Sequence, residues 1–156
     1  MNRRDAMLGT AAFALVAGLG RSAAQAATFE VTRTEAEWRA MLTPLQYKVM
    51  RQDGTERAFS STLDKNYSSG TYHCRGCDLP VYSSKHKYDS GTGWPSFYRS
   101  LNNAVRTKPD RILLKLRTEV HCRRCGSHFG HIFDDGPKPT GKRHCLNGVS
   151  LVFKAA

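Results

Sequence analysis

Apolar residues recur at helical spacing in two consecutive segments of the first third of the chain, each behind a threonine. In the first segment, Thr34 stands three residues before Glu37, as in a capping box, and Trp38, Met41 and Leu42 fall on one face. The pattern therefore predicts a short helix that buries Trp38, Met41 and Leu42.

The second segment begins at Thr43, which precedes a proline and stands three residues before a glutamine, as is typical of a capped helix start. Leu45 and Val49 lie four residues apart and predict its buried side, with Tyr47 as a further candidate. Gly54 is expected to stop this second helix.

After this glycine, the helical spacing gives way to short runs of β-branched and aromatic residues between turn-forming residues. Four such runs predict strands at residues 70–74, 79–84, 111–122 and 148–155. The stretch "DDGPKPTG" predicts a loop. The fold class predicted is mainly β, with a mostly antiparallel domain behind N-terminal helices.

The start of the chain has the layout of a cleavable export signal. An arginine pair, Arg3 and Arg4, precedes an apolar run of fourteen residues and a small-residue cleavage site that ends at Ala26. The pair resembles a twin-arginine signal, with ordinary unfolded export as the alternative. The run is shorter than the ~20 residues of a membrane span, so no stable membrane insertion is expected after cleavage. We expect residues 1–26 to be removed and residues 27–156 to form one exported domain, in a bacterial periplasm.

Charge changes this picture little. Removal of the signal takes away three of 24 basic and one of 13 acidic residues, and leaves a formal net charge of +9. A basic balance is compatible with nucleic-acid binding. The basic residues are scattered, however, with only short pairs such as Arg123-Arg124 and Lys142-Arg143. Scattered charge is typical of a solvated surface, so nucleic acid is not predicted as a partner.

Four of the five cysteines form two CxxC pairs, Cys74 with Cys77 and Cys122 with Cys125. A two-residue spacer lets both thiolates of a pair converge on one ion, and two pairs complete a tetrahedral zinc site. Because 44 residues separate the pairs, the predicted zinc is a structural staple between two parts of a β fold. Two disulfides are the alternative in an oxidising compartment, and a redox-active CxxC is a third interpretation.

The fifth cysteine, Cys145, has no CxxC partner and is a free thiol if the other four hold zinc. A leftover thiol in an exported protein is either reactive or a partner for another chain. Upstream lie His128 and His131, as HxxH, and the turn "GTGWPSF" around Trp94. These residues make a second candidate site.

Taken together, "CRGCDLPVYSS", "KYDSGTGWPSFY" and "CRRCGSHFGHIFDDGPKPTGKRHCLNGVSLVF" resemble a methionine sulfoxide reductase of the B type. The resemblance covers roughly residues 34–154. It implies thiol-dependent reduction of the R epimer of methionine sulfoxide in oxidised proteins or peptides. It also implies two antiparallel sheets with N-terminal helices and a structural zinc ion.

The resemblance also implies site residues. The catalytic positions fall on Cys145, His128, His131 and Asn147, and the substrate-binding position falls on Trp94. Three residues depart from the family pattern: His144 replaces a tyrosine or phenylalanine, Gly148 replaces a serine, and Thr92 stands where many members carry a resolving cysteine.

Attack on a sulfoxide sulfur calls for a thiolate, so we expect a lowered pKa for Cys145, to which Arg143 and nearby histidines could contribute. His128 or His131 is expected to protonate the departing oxygen, and the other to orient it. The product is a sulfenic acid on Cys145. With Thr92 at the resolving position, an external thiol reductant such as a thioredoxin-like protein is expected to regenerate the enzyme.

Two other functions fit parts of the chain. A zinc-ribbon nucleic-acid binder fits the charge and the CxxC pairs but leaves Cys145 and the HxxH histidines without a role. A disulfide exchange protein predicts an absence of zinc and a reactive thiol at Cys74 or Cys122.

Overall fold

A computed structural model describes residues 28–112 and 115–156, and the predicted export signal lies outside the described residues. Two helices come first, α1 at Glu35–Met41 and α2 at Pro44–Arg51. Neither of them, nor any other helix in the two described ranges, is long and apolar enough to cross a membrane.

Both helices begin with the capping boxes that the sequence predicts. The Thr34 hydroxyl accepts from the Glu37 N–H, and the Glu37 carboxylate accepts from the Thr34 N–H at 2.7 Å. Thr43 and Gln46 exchange the same pair of bonds. Each box satisfies two N–H groups that a helix start leaves unpaired, which stabilises a helix of only two turns.

The buried faces of the helices are narrower than predicted. Trp38 and Leu42 are buried, but Met41 is exposed, because it lies off the i, i+4 line that faces the core. On α2, Val49 is buried as predicted, while Leu45 is exposed because the start of α2 projects into solvent. The burial of Met41 and of Leu45 was therefore predicted wrongly.

The strands in the described ranges form two antiparallel sheets. The small sheet has the order β2-β1-β9, with β1 at Gly70–Cys74, β2 at Pro80–Ser83 and β9 at Leu151–Ala155. The large sheet has the order β3-β4-β8-β7-β6-β5. Its strands are β3 (Lys87–Tyr88), β4 (Ser96–Phe97), β5 (Val105–Ile112), β6 (Lys115–Cys122), β7 (His128–Phe133) and β8 (Arg143–Leu146). Short 3-10 turns lie at Ser84–His86 and Gly148–Ser150. The mainly β prediction is confirmed.

One predicted strand is in fact parts of two. Residues 111–122 include the end of β5 and all of β6, which pair antiparallel with Ile112 opposite Lys115. The sequence hides β5 because it is an edge strand with charged residues and Pro109, and a proline is tolerated where one side of a strand has no partner.

The core lies between the two sheets. Tyr72 and Tyr82 from the small sheet meet Phe97 from the large sheet, with ring centroids 5.0 and 4.7 Å from that of Phe97. Phe129 and Leu146 complete this fully buried layer. Each such side chain contributes about 1.5–3 kcal/mol to folding, so this layer fixes the large sheet and leaves the other face of β7 and β8 free for chemistry.

Candidate active site and metal centre

Strand β8 carries Cys145 on the face of the large sheet that points away from the core. Its neighbours His144 and Leu146 are buried, whereas Cys145 is half-buried, as the alternation of a strand requires. Cys145 is directly opposite His131 of β7 and Ser96 of β4. Residues so paired have Cβ atoms about 4.5–5.5 Å apart, so the sheet itself brings His131 to the thiol.

A cavity of about 150 Å³ lies over this part of the sheet. Its walls include Cys145, His131, Asn147, Trp94, Arg117 and Thr55. Cavities of about this volume take up a molecule the size of benzene, so this one has room for a single side chain. Four of the five residues predicted for catalysis and substrate binding therefore meet here, and His128 does not line the cavity.

Trp94 is held in place by Glu56, which the sequence did not point to. The indole N–H of Trp94 donates to the Glu56 carbonyl at 3.1 Å. Glu56 is only 2% exposed, and its carboxylate accepts from the N–H groups of Gly148 and Val149. Burial raises the pKa of this carboxyl, against the lowering effect of the two N–H bonds. Glu56 thus ties the tryptophan wall to the segment after the nucleophile.

Both polar atoms of the Asn147 side chain form hydrogen bonds with main-chain groups. Its Nδ2 donates to the Phe129 carbonyl at 3.0 Å, and its Oδ1 accepts from the Glu56 N–H at 2.9 Å. Asn147 therefore joins the end of β8 to β7 and to the segment that holds Trp94. This arrangement positions the cavity walls.

His131 belongs to a hydrogen-bonded group that opens on the cavity. Its Nε2 lies 2.8 Å from the Asp110 carboxylate, which also accepts from Arg117 at 2.7 Å. These bonds lower the pKa of Asp110, with the His131 bond the larger effect. Burial lowers the pKa of His131, although Asp110 opposes this. A neutral His131 thus donates Nε2–H to Asp110, and its Nδ1, which has no hydrogen-bond partner among the described residues, is left as an acceptor.

His128 lies behind His131 in the protein interior. It is 1% exposed, and its Nδ1 is 2.7 Å from the buried carboxylate of Glu119. The other oxygen of Glu119 is 2.7 Å from Nδ1 of His121. Burial alone would raise the pKa of Glu119, but the bonds from the two histidines bring it down to about 2. His128 therefore supports the sheet beneath His131, with a ring centroid 5.5 Å away.

The pKa of Cys145 differs from the sequence-based expectation. Burial raises the pKa of the thiol, and this outweighs the lowering by the Thr92 hydroxyl and by Arg143. Arg143 is held in a two-pronged ion pair with Asp135, at 2.8 and 2.9 Å, so its charge is shared with a carboxylate. The expectation of a lowered pKa was wrong for the protein without substrate, because the same burial that shapes the cavity disfavours an anion.

A chain of hydroxyl groups runs from Cys145 to a main-chain carbonyl. Thr92 Oγ1 is 3.9 Å from Cys145 Sγ and 2.8 Å from Ser90 Oγ, which is 2.7 Å from Ser96 Oγ. The Ser96 hydroxyl donates to the Trp94 carbonyl at 3.1 Å. With that orientation, each hydroxyl donates away from the sulfur and the thiol donates to Thr92. A thiolate would instead accept from Thr92, with the other hydroxyl groups reversed.

Two departures from the family pattern have a structural explanation. His144 points into the core, where its Nδ1 is 3.0 Å from the Tyr82 hydroxyl. Burial, and to a lesser degree Lys142, lowers the pKa of His144 to about 4, so it is neutral near pH 7. At Gly148, a Cβ would lie 1.9 Å from Ser61 Oγ, so a serine could not be accommodated beside the Ser61 side chain as it stands.

The four CxxC cysteines converge on one point between the two sheets. All four Sγ atoms of Cys74, Cys77, Cys122 and Cys125 lie within 4.8 Å of one another. The closest pairs are 3.6 Å and 3.5 Å apart. These separations are close to the ~3.8 Å expected between sulfurs that surround one tetrahedral ion at about 2.3 Å. The set can therefore bind a metal that joins the end of β1 to the end of β6.

Both CxxC turns have the same backbone form. The residue after each pair, Asp78 or Gly126, has a φ of 59° or 70°. Its N–H donates to the carbonyl of the first cysteine, Cys74 or Cys122, at 2.8 and 3.0 Å. This left-handed step turns the chain back and keeps both thiols of each pair on one side.

Arginines brace these turns from outside. Three turn carbonyls accept from guanidinium groups: Gly76 from Arg33, Cys125 from Arg51, and Cys77 from Arg124. Arg33 and Arg51 also lie over the Trp38 ring, 4.9 and 4.6 Å from its centroid. The N-terminal segment thus packs against the four-cysteine cluster, and positive charge surrounds thiols that would be anionic as metal ligands.

The structure adds three acidic residues to the predicted site. Each of them forms a hydrogen bond to a site residue. Glu56 binds Trp94 through its main-chain carbonyl, Asp110 binds His131, and Glu119 binds His128. A buried carboxylate beside a histidine is a functional signal in a structure. In sequence, the alternation of β6 places Glu119 on the face opposite Val120, with Arg117 and His121, so nothing in that pattern points to its burial.

Comparison with known proteins agrees with this site. The model of the SelR domain family matches residues 42–155. The chain therefore belongs to the SelR domain family. A peptide methionine sulfoxide reductase MsrB of Thiobacillus denitrificans is 52% identical over 122 residues, which cover 78% of this chain and 92% of that protein. The MsrB of Methanosarcina barkeri is 54% identical over 125 residues, 80% of this chain and 88% of that protein.

Proposed function

We propose that the protein is a thiol-dependent peptide methionine-R-sulfoxide reductase that repairs oxidised methionine in proteins. The observation that carries this proposal is the position of Cys145, which faces a cavity for one side chain between Trp94 and His131. Membership of the SelR domain family, and the names of relatives about half identical to the chain, support the same activity.

The first half-reaction needs no reactant besides the thiol and the sulfoxide. The sulfur–oxygen bond of the substrate breaks, and a sulfur–oxygen bond to Cys145 forms. The sulfoxide gains two electrons and becomes a thioether, while the thiol loses two and becomes a sulfenic acid. The proton of the thiol ends on the transferred oxygen, so atoms and charge balance.

His131 is the residue placed to move that proton. Because Cys145 is a thiol at rest and His131 is neutral, the free Nδ1 of His131 can accept the thiol proton as the sulfur attacks. The imidazolium, held by Asp110 at Nε2, then protonates the departing oxygen. Proton transfer of this kind contributes about 10²- to 10⁴-fold to a rate.

Selection of one epimer needs three fixed contacts around the sulfoxide sulfur. Cys145 defines the direction of attack, His131 the position of the oxygen, and the Trp94 ring an apolar wall for the methyl group. The Glu56 carbonyl fixes the Trp94 ring. Only one hand of the sulfoxide can meet all three groups while its peptide remains outside the cavity.

The four-thiol centre is proposed to hold one structural zinc ion. Zinc prefers four cysteine thiolates in tetrahedral geometry, and a site so filled has no open position for substrate. When bound, the zinc ion would link the two sheets. Its ligands would be Cys74, Cys77, Cys122 and Cys125.

The second half-reaction requires reductant. An external thiol condenses with the sulfenic acid and releases water, and a second thiol attacks the mixed disulfide to restore Cys145. We propose a thioredoxin-like protein as the donor. We also propose export to the periplasm, supported by the signal-like residues 1–26. Sequencing the N-terminus of the mature protein from fractionated cells tests that export.

The central experiment is reduction of each epimer of a methionine sulfoxide peptide with dithiothreitol. Loss of the R epimer alone is expected. Cys145→Ser should abolish turnover and keep zinc and fold, because a hydroxyl is a far weaker nucleophile. His131→Ala and Trp94→Ala should slow turnover without unfolding. Appreciable turnover by Cys145→Ser would contradict the proposal.

A further inference from the structure

Phe59 combines two features that rarely occur together in one residue. The residue is 68% exposed, the most exposed of the large apolar residues in the described ranges. Its φ is 62°, in the left-handed region that bulky residues avoid. A conformation of this kind persists only where its surroundings hold it, and such positions cluster at functional sites.

The Gly93 backbone holds Phe59. The Phe59 N–H donates to the Gly93 carbonyl at 2.7 Å. The ring lies against the Gly93 α-carbon, since a Cβ there would be 2.8 Å from three ring carbons. Gly93 itself has a φ of 85°, which also favours glycine. The Phe59 ring is thus fixed on the loop that carries Thr92 and Trp94.

The rest of this segment is equally well fixed to the cavity. Thr55 lines the cavity, and Glu56 is bound to Trp94, Asn147 and the turn after it. Phe59 follows three residues after Glu56. The ring therefore lies on the same side of the cavity as Trp94. Its backbone is fixed by the contacts of Glu56 and by the hydrogen bond to Gly93.

Room in the cavity decides what can meet this ring. About 150 Å³ admits one side chain, so the residues beside a methionine sulfoxide must remain outside, on the surface around Trp94. A ring that served only to hold the Gly93 loop would be covered by that loop. Because Phe59 as a whole is 68% exposed, apolar surface of the residue is available to a second molecule.

We propose that Phe59 is a specificity residue for polypeptide substrates: its exposed ring packs against an apolar side chain next to the methionine sulfoxide. The proposal rests on the reductase function proposed above. It assigns recognition of the peptide to Phe59 and recognition of the sulfoxide to Trp94. Substrates with an apolar neighbour are then preferred over substrates with glycine or an acidic neighbour.

Steady-state kinetics with three substrates test this. They are a peptide with leucine beside the sulfoxide, the same peptide with glycine there, and methionine sulfoxide blocked at both ends. The wild-type protein should show a higher kcat/KM for the leucine peptide than for the glycine peptide. Phe59→Asn removes the ring and suits the left-handed backbone. We expect it to lower the ratio of kcat/KM for the leucine peptide to that for the blocked amino acid by roughly 3- to 10-fold.

Two controls match this variant. Phe59→Tyr keeps the ring and should retain the wild-type ratio. Tyr67→Ala removes another exposed aromatic side chain, which stacks under Lys87, and should also leave the ratio unchanged. Phe59→Gly tolerates the same φ and repeats the test in a second background if Phe59→Asn unfolds.

Three results would overturn the inference. The wild-type protein could show no preference between the two peptides. Phe59→Asn could slow all three substrates equally, which would make Phe59 a positioning residue for the Gly93 loop. Tyr67→Ala could change the ratio as much as Phe59→Asn. Failure of the reductase function itself looks different, because the wild-type protein would then reduce none of the three substrates.

Discussion

The hydroxyl oxygen of Thr92 lies 3.9 Å from the sulfur of Cys145. The residue that the family pattern often gives to a second cysteine is thus a direct neighbour of the nucleophile. A sulfur at this position would be within reach of Cys145 after a small side-chain rotation.

Thr92→Cys should therefore restore an internal resolving thiol. After one turnover without reductant, we expect a disulfide between Cys145 and the introduced thiol, found by mass spectrometry of peptides. The unchanged protein, treated identically, should carry a sulfenic acid on Cys145 that dimedone traps. A disulfide from Cys145 to any of the four metal-site cysteines in the unchanged protein would refute direct reduction by external thiols.

Thr92→Val should make the Cys145 thiol harder to ionise. The variant keeps the shape of Thr92 but removes the hydroxyl that lowers the pKa of Cys145. The rate of alkylation by iodoacetamide, measured against pH, should rise at higher pH than in the wild type. Thr92→Ser keeps the hydroxyl and serves as the control. Identical pH profiles of alkylation for Thr92→Val and the wild type would mean that the Thr92 hydroxyl does not affect the pKa of Cys145.

His144→Phe should reduce the sensitivity of the fold to mild acid. The pKa of His144 is about 4 when folded, below the ~6.5 of an unfolded chain, so the unfolded state binds more protons between these values. Stability is full above about pH 6.5 and falls as pH drops toward 4. Between about pH 7.5 and pH 5, the wild type should lose about 2 kcal/mol more than the variant in urea unfolding.

The His144→Phe substitution also lowers the free energy of unfolding by an amount that does not depend on pH. The variant leaves the Tyr82 hydroxyl without its His144 partner, which costs about 1–3 kcal/mol at every pH. The test is therefore the change with pH and not the stability at one pH. Equal pH slopes in the two proteins would show that His144 does not titrate in this range.

Cys122→Ser should lose metal and fold together. Cys122 ends β6, and its thiol is one of the four that join the two sheets. Zinc content by atomic absorption should fall from one ion per chain, and thermal unfolding should move to a markedly lower temperature, because metal binding contributes to folding free energy. Cys145→Ser makes the same chemical change elsewhere and should keep its zinc. Full stability of metal-free wild type would argue against a structural role.

Much of the fold could be predicted from local signals. The capping boxes at Thr34 and Thr43 are contained within four residues, so the sequence shows them directly. The CxxC spacing likewise contains the geometry of each half of the four-cysteine cluster. The exposure of Met41 and Leu45 could not be predicted in this way, since it depends on which part of each helix the rest of the protein covers.

The site likewise contains residues that local sequence signals reveal and residues that they do not. Cys145, His131 and Trp94 are conspicuous residue types in distinctive motifs. Glu56 is not, because all the groups it contacts near the nucleophile are 91 to 93 residues away along the chain. The raised pKa of Cys145 was also hidden, because it follows from burial in the folded protein and not from the basic neighbour in sequence.

The small volume of the cavity has a consequence for the order of events. Methionine and the reducing thiol must reach the same sulfur of Cys145 through space for one side chain. Repaired methionine must therefore depart before the donor can approach, and the two substrates take turns. Plots of reciprocal rate against reciprocal sulfoxide concentration, at several thiol concentrations, should be parallel lines, the sign of a ping-pong enzyme.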